Sequence, residues 1–124
     1  MDMAAANVVI ADDNPGIRDL VGLTLESAGH TVESFGTGDD CWERLETGDP
    51  PDLVILDASM PGLDGGGVLD RIRSDERLRS LPVVFISGHD RDSDLVSSIE
   101  ERIDDYVHKP FSPSDLCERV ARLV

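Results

Sequence analysis

The sequence predicts an α/β fold in which a parallel sheet is covered by helices on both faces. Short apolar runs of strand character alternate five times with segments of helical spacing. One run, Leu53-Val54-Ile55-Leu56, is uninterrupted, as a strand buried on both faces requires. At 124 residues the chain is long enough for one such domain, burying roughly two thirds of its unfolded surface without a staple.

Asn7 to Ala11 is a short β-branched strand that Asp12-Asp13-Asn14-Pro15 ends. Asn14 caps the next helix and Pro15 sits in its first turn, where a proline has no helical amide bond to lose. Ile17, Leu20, Val21, Thr24, Leu25 and Ala28 fall on one face at helical spacing, and Gly29 stops that helix. Thr31 to Phe35 alternates polar and apolar residues, which suits an edge strand. Cys41, Trp42 and Leu45 place a second helix between Asp39 and Thr47, closed by Gly48-Asp49-Pro50-Pro51. Leu53 to Leu56 is the third strand, and Val68, Leu69 and Ile72 mark a helix from near Gly65.

Val83 to Ile86 is the fourth strand, and Val96, Ile99 and Ile103 suit a fourth helix from near Asp90. A short fifth strand ends at Val107 or His108. Ser112 caps the last helix, with Pro113 in its first turn and Leu116, Val120 and Leu123 facing inward. His30 reads as a surface turn residue and His108 as an exposed strand position. Right-handed crossovers leave few strand orders, and spacing does not choose among them.

Acidic residues outnumber basic ones 26 to 11, for a formal charge of −15. That surplus repels nucleic-acid phosphates and anionic lipid, so no direct contact with nucleic acid or membrane is expected. No apolar run approaches the ~20 residues of a membrane span, and Met1 to Ala6 is too short for a signal peptide, so a cytoplasmic protein is expected. Cys41 and Cys117 lie far apart, outside any Cys-x-x-Cys spacing, and are expected to be two separate thiols. Lys109 is the sole lysine among ten arginines, placed either by chance in a chain that writes Arg by default or because the position needs a compact ammonium where a planar fork would not fit.

Asp57 stands where a buried strand runs out, with Pro61 and Gly62 just beyond. Asp12 and Asp13 follow the first strand, Ser87 the fourth and Lys109 the fifth. All therefore lie on the carboxyl edge of the sheet, where open α/β proteins bind ligands. If the first and third strands are neighbours, three carboxylates converge, and like charges that close raise one another's pKa or attract a cation. Mg²⁺ suits such a site because it takes hard oxygen ligands, usually one or two carboxylates together with phosphoryl oxygens. With no cysteine or paired histidine at these strand ends, zinc and copper do not suit it. A carboxylate beside a metal, a hydroxyl and an ammonium suits phosphoryl transfer to the carboxylate itself, with Asp57 as nucleophile. Taken singly, Asp12 and Asp13 read as helix-capping acids, Ser87 as a turn residue and Tyr106 as a half-buried strand aromatic.

Asp12-Asp13, Leu56-Asp57-x-x-Met60-Pro61-Gly62-x-Asp64-Gly65, Ile86-Ser87-Gly88 and Asp105-Tyr106-x-x-Lys109-Pro110-Phe111 form one ordered set. Together they resemble the receiver domain of two-component response regulators, of the chemotaxis response regulator-like kind, from Val8 to Val124. The resemblance implies a flavodoxin-like (βα)5 three-layer sandwich of strand order 2-1-3-4-5. It further implies that Asp57 accepts a phosphoryl group from a histidine kinase, a phosphotransfer protein or a small phosphodonor. Mg²⁺ would be held by Asp13, Asp57 and the Ser59 backbone carbonyl, with Asp12 acting through water. Lys109 would pair with the phosphoryl oxygens, and Ser87 would shift to hydrogen-bond one of them. Tyr106 would then rotate inward behind Ser87, altering the face of the fourth helix, fifth strand and fifth helix that a downstream protein target reads. By the same resemblance, Ser59 and His89 flank the phosphoryl group and tune its lifetime. Arg102-Ile103 departs from the family's usual Gly-Ala, so the end of the fourth helix is expected to differ.

Residues 1–6 read as a short N-terminal extension and residues 7–124 as the receiver domain, which leaves no room here for an output domain and suits either a stand-alone receiver or a piece of something larger. The expected function is a phosphorylation-activated signalling switch whose only turnover is self-phosphorylation and self-dephosphorylation. One alternative is a Mg²⁺-dependent phosphohydrolase with an aspartyl-phosphate intermediate. Enzymes of the haloacid dehalogenase type want a second Asp two positions after the nucleophile, where this chain has Ser59. The other alternative is a receiver-like binding module that is not phosphorylated, against which Asp57, Asp13 and Lys109 are all in place.

Overall fold

Five strands form one parallel sheet in the computed structural model of the chain, which describes residues 5–88 and 102–124. The elements run β1 (Asn7–Ala11), α1 (Pro15–Ser27), β2 (Thr31–Phe35), α2 (Gly38–Thr47), β3 (Leu53–Asp57), α3 (Gly65–Ser74), β4 (Val83–Ser87), β5 (Asp105–His108) and α4 (Pro113–Leu123). Strand order is β2-β1-β3-β4-β5, the flavodoxin-like order. Most of the helix expected from near Asp90 falls on residues 89–101, outside the described residues, while Ile103, expected on its inward face, is half-buried against the core.

Alternation along each strand divides the core in two. Val8, Ile10, Leu53, Ile55, Val84 and Ile86 face one side, where Val21 and Leu25 of α1 and Leu116 and Val120 of α4 cover them. Val9, Ala11, Val54, Leu56, Val83 and Phe85 face the other, beneath Cys41 and Leu45 of α2 and Val68, Leu69 and Ile72 of α3. Burial on both faces is why β1, β3 and β4 are built on apolar runs without polar alternation. Burial pushes the Cys41 thiol up to about 12, so it packs as a small apolar group, and Cys41 and Cys117 are both free.

The helix ends carry the chemistry their sequences announce. The Asn14 side chain accepts from the amides of Gly16 and Ile17, and Asp64 caps α3 through the amide of Gly67. Beyond α1, the Gly29 amide donates to Glu26 and the His30 amide to Leu25, with Gly29 at φ 98°. That pairing closes a helix with a left-handed residue, which only glycine adopts without strain.

Two expectations need correction. Leu20 is 39% exposed and does not face the core. The buried stripe of α1 runs along Val21 and Leu25, and Leu20 lies about 100° round the helix from Val21. His30 is buried, contrary to its reading as a surface turn residue: its Nδ1 accepts the Ala6 amide at 3.0 Å, while the Ala6 carbonyl accepts the amide of Thr31. The turn after α1 thus clasps the start of β1, a long-range contact with no local signature.

Candidate functional site

Register places the site. In the β1–β3 pairing Ala11 stands opposite Leu56, so the next residues, Asp12 and Asp57, leave adjacent strands side by side. Both β3 and β4 run one residue further than the apolar pattern, which carries Asp57 and Ser87 into the sheet's buried end. Ser87 is opposite His108 in the β4–β5 pairing, and the Lys109 amide donates to the Ser87 carbonyl at 2.8 Å. The lysine therefore enters from the far side of the acids.

Asp12, Asp13 and Asp57 bring carboxylate oxygens within 4.8 Å of one another, the one such cluster of possible metal ligands among the described residues. Asp12 is fully buried, Asp57 is 5% exposed, and Asp13 opens to solvent. The Asp12 Oδ1 accepts the Asn14 amide at 2.9 Å. Its Oδ2 is buried without a hydrogen-bond donor in good geometry and has the Lys109 ammonium 3.0 Å away as its counter-charge. The same ammonium stands 3.5 Å from Asp57.

One cation among three carboxylates leaves the site short of positive charge. The Asp57 carboxyl is accordingly raised from 3.8 to about 7, first by burial and then by the Asp12 charge. Lys109 and the Ser59 amide, which donates to Asp57 Oδ1 at 3.4 Å, pull the other way. An all-oxygen cluster with a deficit of cations fits a hard divalent ion such as Mg²⁺.

Supporting contacts come from residues that no sequence pattern singled out. Arg18 of α1 reaches back to donate to the Asp12 carbonyl at 2.7 Å, bracing the acidic turn. A Cβ on Gly38 would stand 1.9 Å from the Leu63 carbonyl, so α2 presses its first residue against the loop that follows Asp57. Asp39 beside it accepts the Leu63 amide at 3.4 Å. Spacing signals none of these: the Gly38 and Asp39 contacts with Leu63 join segments far apart in the chain, and the Arg18 contact runs from a side chain to a main-chain carbonyl that no residue type marks.

Tyr106, on edge strand β5, is half-buried against the α2–α3 side of the core, as is Ile103. Its hydroxyl lies 3.4 Å from Nδ1 of exposed His108, and the two rings meet edge to face at 4.6 Å. Arg119 of α4 donates to the Tyr106 carbonyl and pairs with Asp105 and Asp115. Arg102, at the departure from the family's usual Gly-Ala, pairs with Asp70 and accepts Arg73 at its carbonyl. His89, expected to flank the phosphoryl group, lies outside the described residues.

Acids and a lysine at the switch point of a doubly wound parallel sheet define the class, a flavodoxin-like domain whose ligand end suits a cation and an anion together. The pattern of the response regulator receiver domain matches residues 8–121, and the chain belongs to that family. Over 117 residues it is 35% identical to the DNA-binding dual master transcriptional regulator RpaA of Synechocystis sp., covering 94% of this chain and 48% of that protein. It is similar to the structure of NtrX from Brucella abortus, at 35% identity and TM-score 0.85, over 96% of this chain and 27% of that one. It is also similar to the signal receiver domain of a signal transduction histidine kinase from Syntrophus aciditrophicus, at 29% identity and TM-score 0.86, over 96% and 89%. The chain spans about half the length of the curated relatives it matches.

Proposed function

We propose that Asp57 is the phosphoacceptor of a signalling switch. The observation that carries this reading is the convergence of Asp12, Asp13 and Asp57 within 4.8 Å, with the Lys109 ammonium 3.5 Å from Asp57. An Asp57 oxygen attacks the phosphorus of a phosphohistidine or a small phosphodonor. The new O–P bond forms as the bond to the donor breaks, and the leaving group takes up a proton. Lys109 moves its charge onto the phosphoryl oxygens as negative charge spreads over them, and Ser87 supplies a hydroxyl from the neighbouring strand.

Mg²⁺ is the cofactor of this reading, held by Asp13, Asp57 and the Ser59 carbonyl. When bound it supplies positive charge that keeps Asp57 ionised and offsets the charge on the phosphoryl oxygens. Asp12 acts through water, in keeping with its two oxygens being already engaged by the Asn14 amide and Lys109. The domain is a substrate more than an enzyme, turning over only its own phosphate, and Ser59 and His89 set how fast water removes it. Residues 7–124 form the receiver domain, with residues 1–6 a short extension.

The partners are a histidine kinase or phosphotransfer protein that supplies the phosphate and a protein target that reads Tyr106 and the face around β5 and α4. This chain makes no nucleic-acid contact of its own, since its charge of −15 opposes one. No described helix is long and apolar enough to cross a membrane. We place the domain in the cytoplasm, where a kinase would meet it and where Cys41 and Cys117 stay reduced.

Incubation with Mg²⁺ and a small phosphodonor, followed by intact mass and free phosphate, tests the reading. One labile phosphate per chain, absent in Asp57→Ala, is expected. Many phosphates released per chain would make it a hydrolase instead, and no adduct with donor or kinase would make it an unphosphorylated binding module.

A further inference from the structure

We infer that His108 is a latch that holds Tyr106 in the position seen here, so that this histidine sets how readily the switch responds to phosphate. The inference rests on the phosphoacceptor reading above and names a regulator of that same site. Tyr106 and His108 are two residues apart on β5 and so share one side of the strand. Their rings meet edge to face at a centroid distance of 4.6 Å and an interplanar angle of 75°, the arrangement that aromatic quadrupoles favour. At the tip of the same contact the tyrosine hydroxyl reaches His108 Nδ1 at 3.4 Å. Because a phenol both donates and accepts, it can bond that nitrogen whether or not the nitrogen carries a proton.

The main chain at Tyr106 is fixed from several directions. Tyr106 stands opposite Phe85 in the β4–β5 ladder, its amide donates to Asp105 Oδ1 at 2.8 Å, and its carbonyl accepts Arg119 at 3.3 Å. Motion of Tyr106 is therefore a side-chain rotation, and the two contacts to His108 oppose it. Breaking them shifts the rotamer equilibrium by roughly three- to tenfold, the combined weight of one edge-to-face pair and one long, exposed hydrogen bond.

Tyr106 is the chain's one tyrosine, so its ring protons can be followed by NMR without assignment ambiguity. In the free protein we expect cross-relaxation between the Tyr106 and His108 rings. His108→Val keeps strand propensity at an exposed position but removes both contacts. It should move the Tyr106 resonances toward those reached with Mg²⁺ and beryllofluoride, and lower the beryllofluoride midpoint three- to tenfold. His108→Phe, which keeps the ring contact alone, should fall between. Tyr106 resonances in the free His108→Val protein that match the wild type would overturn the latch. Fluorine NMR of the bound beryllofluoride separates the two ideas. If the wild type shows no bound fluoride, the phosphoacceptor reading fails, while the latch is still judged on the free-protein spectra.

Discussion

The Lys109 ammonium lies closer to Asp12, at 3.0 Å, than to the proposed phosphoacceptor Asp57, at 3.5 Å. The chain's one lysine is thus counter-ion first to a carboxylate that is 1% exposed. It stands 21% exposed at the mouth of the site, near enough to Asp57 to follow new negative charge there.

Removing that ammonium leaves two buried acids without their cation. Lys109→Ala is expected to lower metal-free stability at neutral pH by roughly 3 kcal/mol, the usual consequence of stranding a buried charge. Added Mg²⁺ should restore much of the difference. Urea unfolding of both proteins with and without the metal measures this, and superimposed metal-free curves would show that Asp12 does not depend on the lysine.

The raised Asp57 pKa gives the metal-free protein a specific pH dependence. Its folded value is about 7 against an ordinary 3.8, so between those limits the folded chain binds a proton that the unfolded chain releases. The resulting stabilisation is fully present below 3.8, declines as pH rises, and is lost above about 7. Asp57→Asn removes the titrating group, so its stability curve should be flatter across that window. At pH 8 the variant should exceed the wild type by roughly 1–3 kcal/mol. Mg²⁺ affinity, measured calorimetrically, should rise with pH and level off near 7, because metal and proton compete for the same carboxylate. An affinity independent of pH across this range would contradict the assignment.

Gly38 tests whether α2 shapes the loop that carries Ser59. An alanine there would press its Cβ into the Leu63 carbonyl, a backbone atom that cannot move aside alone. Gly38→Ala should destabilise by roughly 2–3 kcal/mol and also weaken Mg²⁺ binding by displacing the loop. Gly22→Ala is the matched control, since no atom lies within 4 Å of its Cβ position within α1. It should stabilise by roughly 0.5–1 kcal/mol.

His30 holds the start of the first strand. His30→Ala leaves the buried Ala6 amide without its acceptor, with an expected loss of roughly 1–3 kcal/mol. Hydrogen exchange should show that amide opening faster while the amides of β3 and β4 keep their protection. Unaltered exchange at Ala6 would mean that the strand is held by its ladder alone.

Several features were legible because they are local. Asn14 with Pro15, the Gly29 stop and Ser112 with Pro113 act within one helical turn, so their chemistry shows in adjacent residues. The continuous apolar runs at β3 and β4 reveal strands buried on two faces, and the acids, serine and lysine that follow mark one edge of the sheet. Leu20 shows the limit: helical spacing alone admitted it to the inward face, and the line of actual contact excluded it.

Sequence by itself determined the alternating elements and which acids, hydroxyl and lysine stand at the strand ends, because periodicity and turn residues act over short separations. Only the tertiary structure decided that one lysine serves two acids. It also decided that His30 clasps Ala6, that Gly38 abuts Leu63 and that His108 rests on Tyr106. The physical reason is that register, chain reversal and side-chain packing set those neighbours, and none of them leaves a local pattern to read.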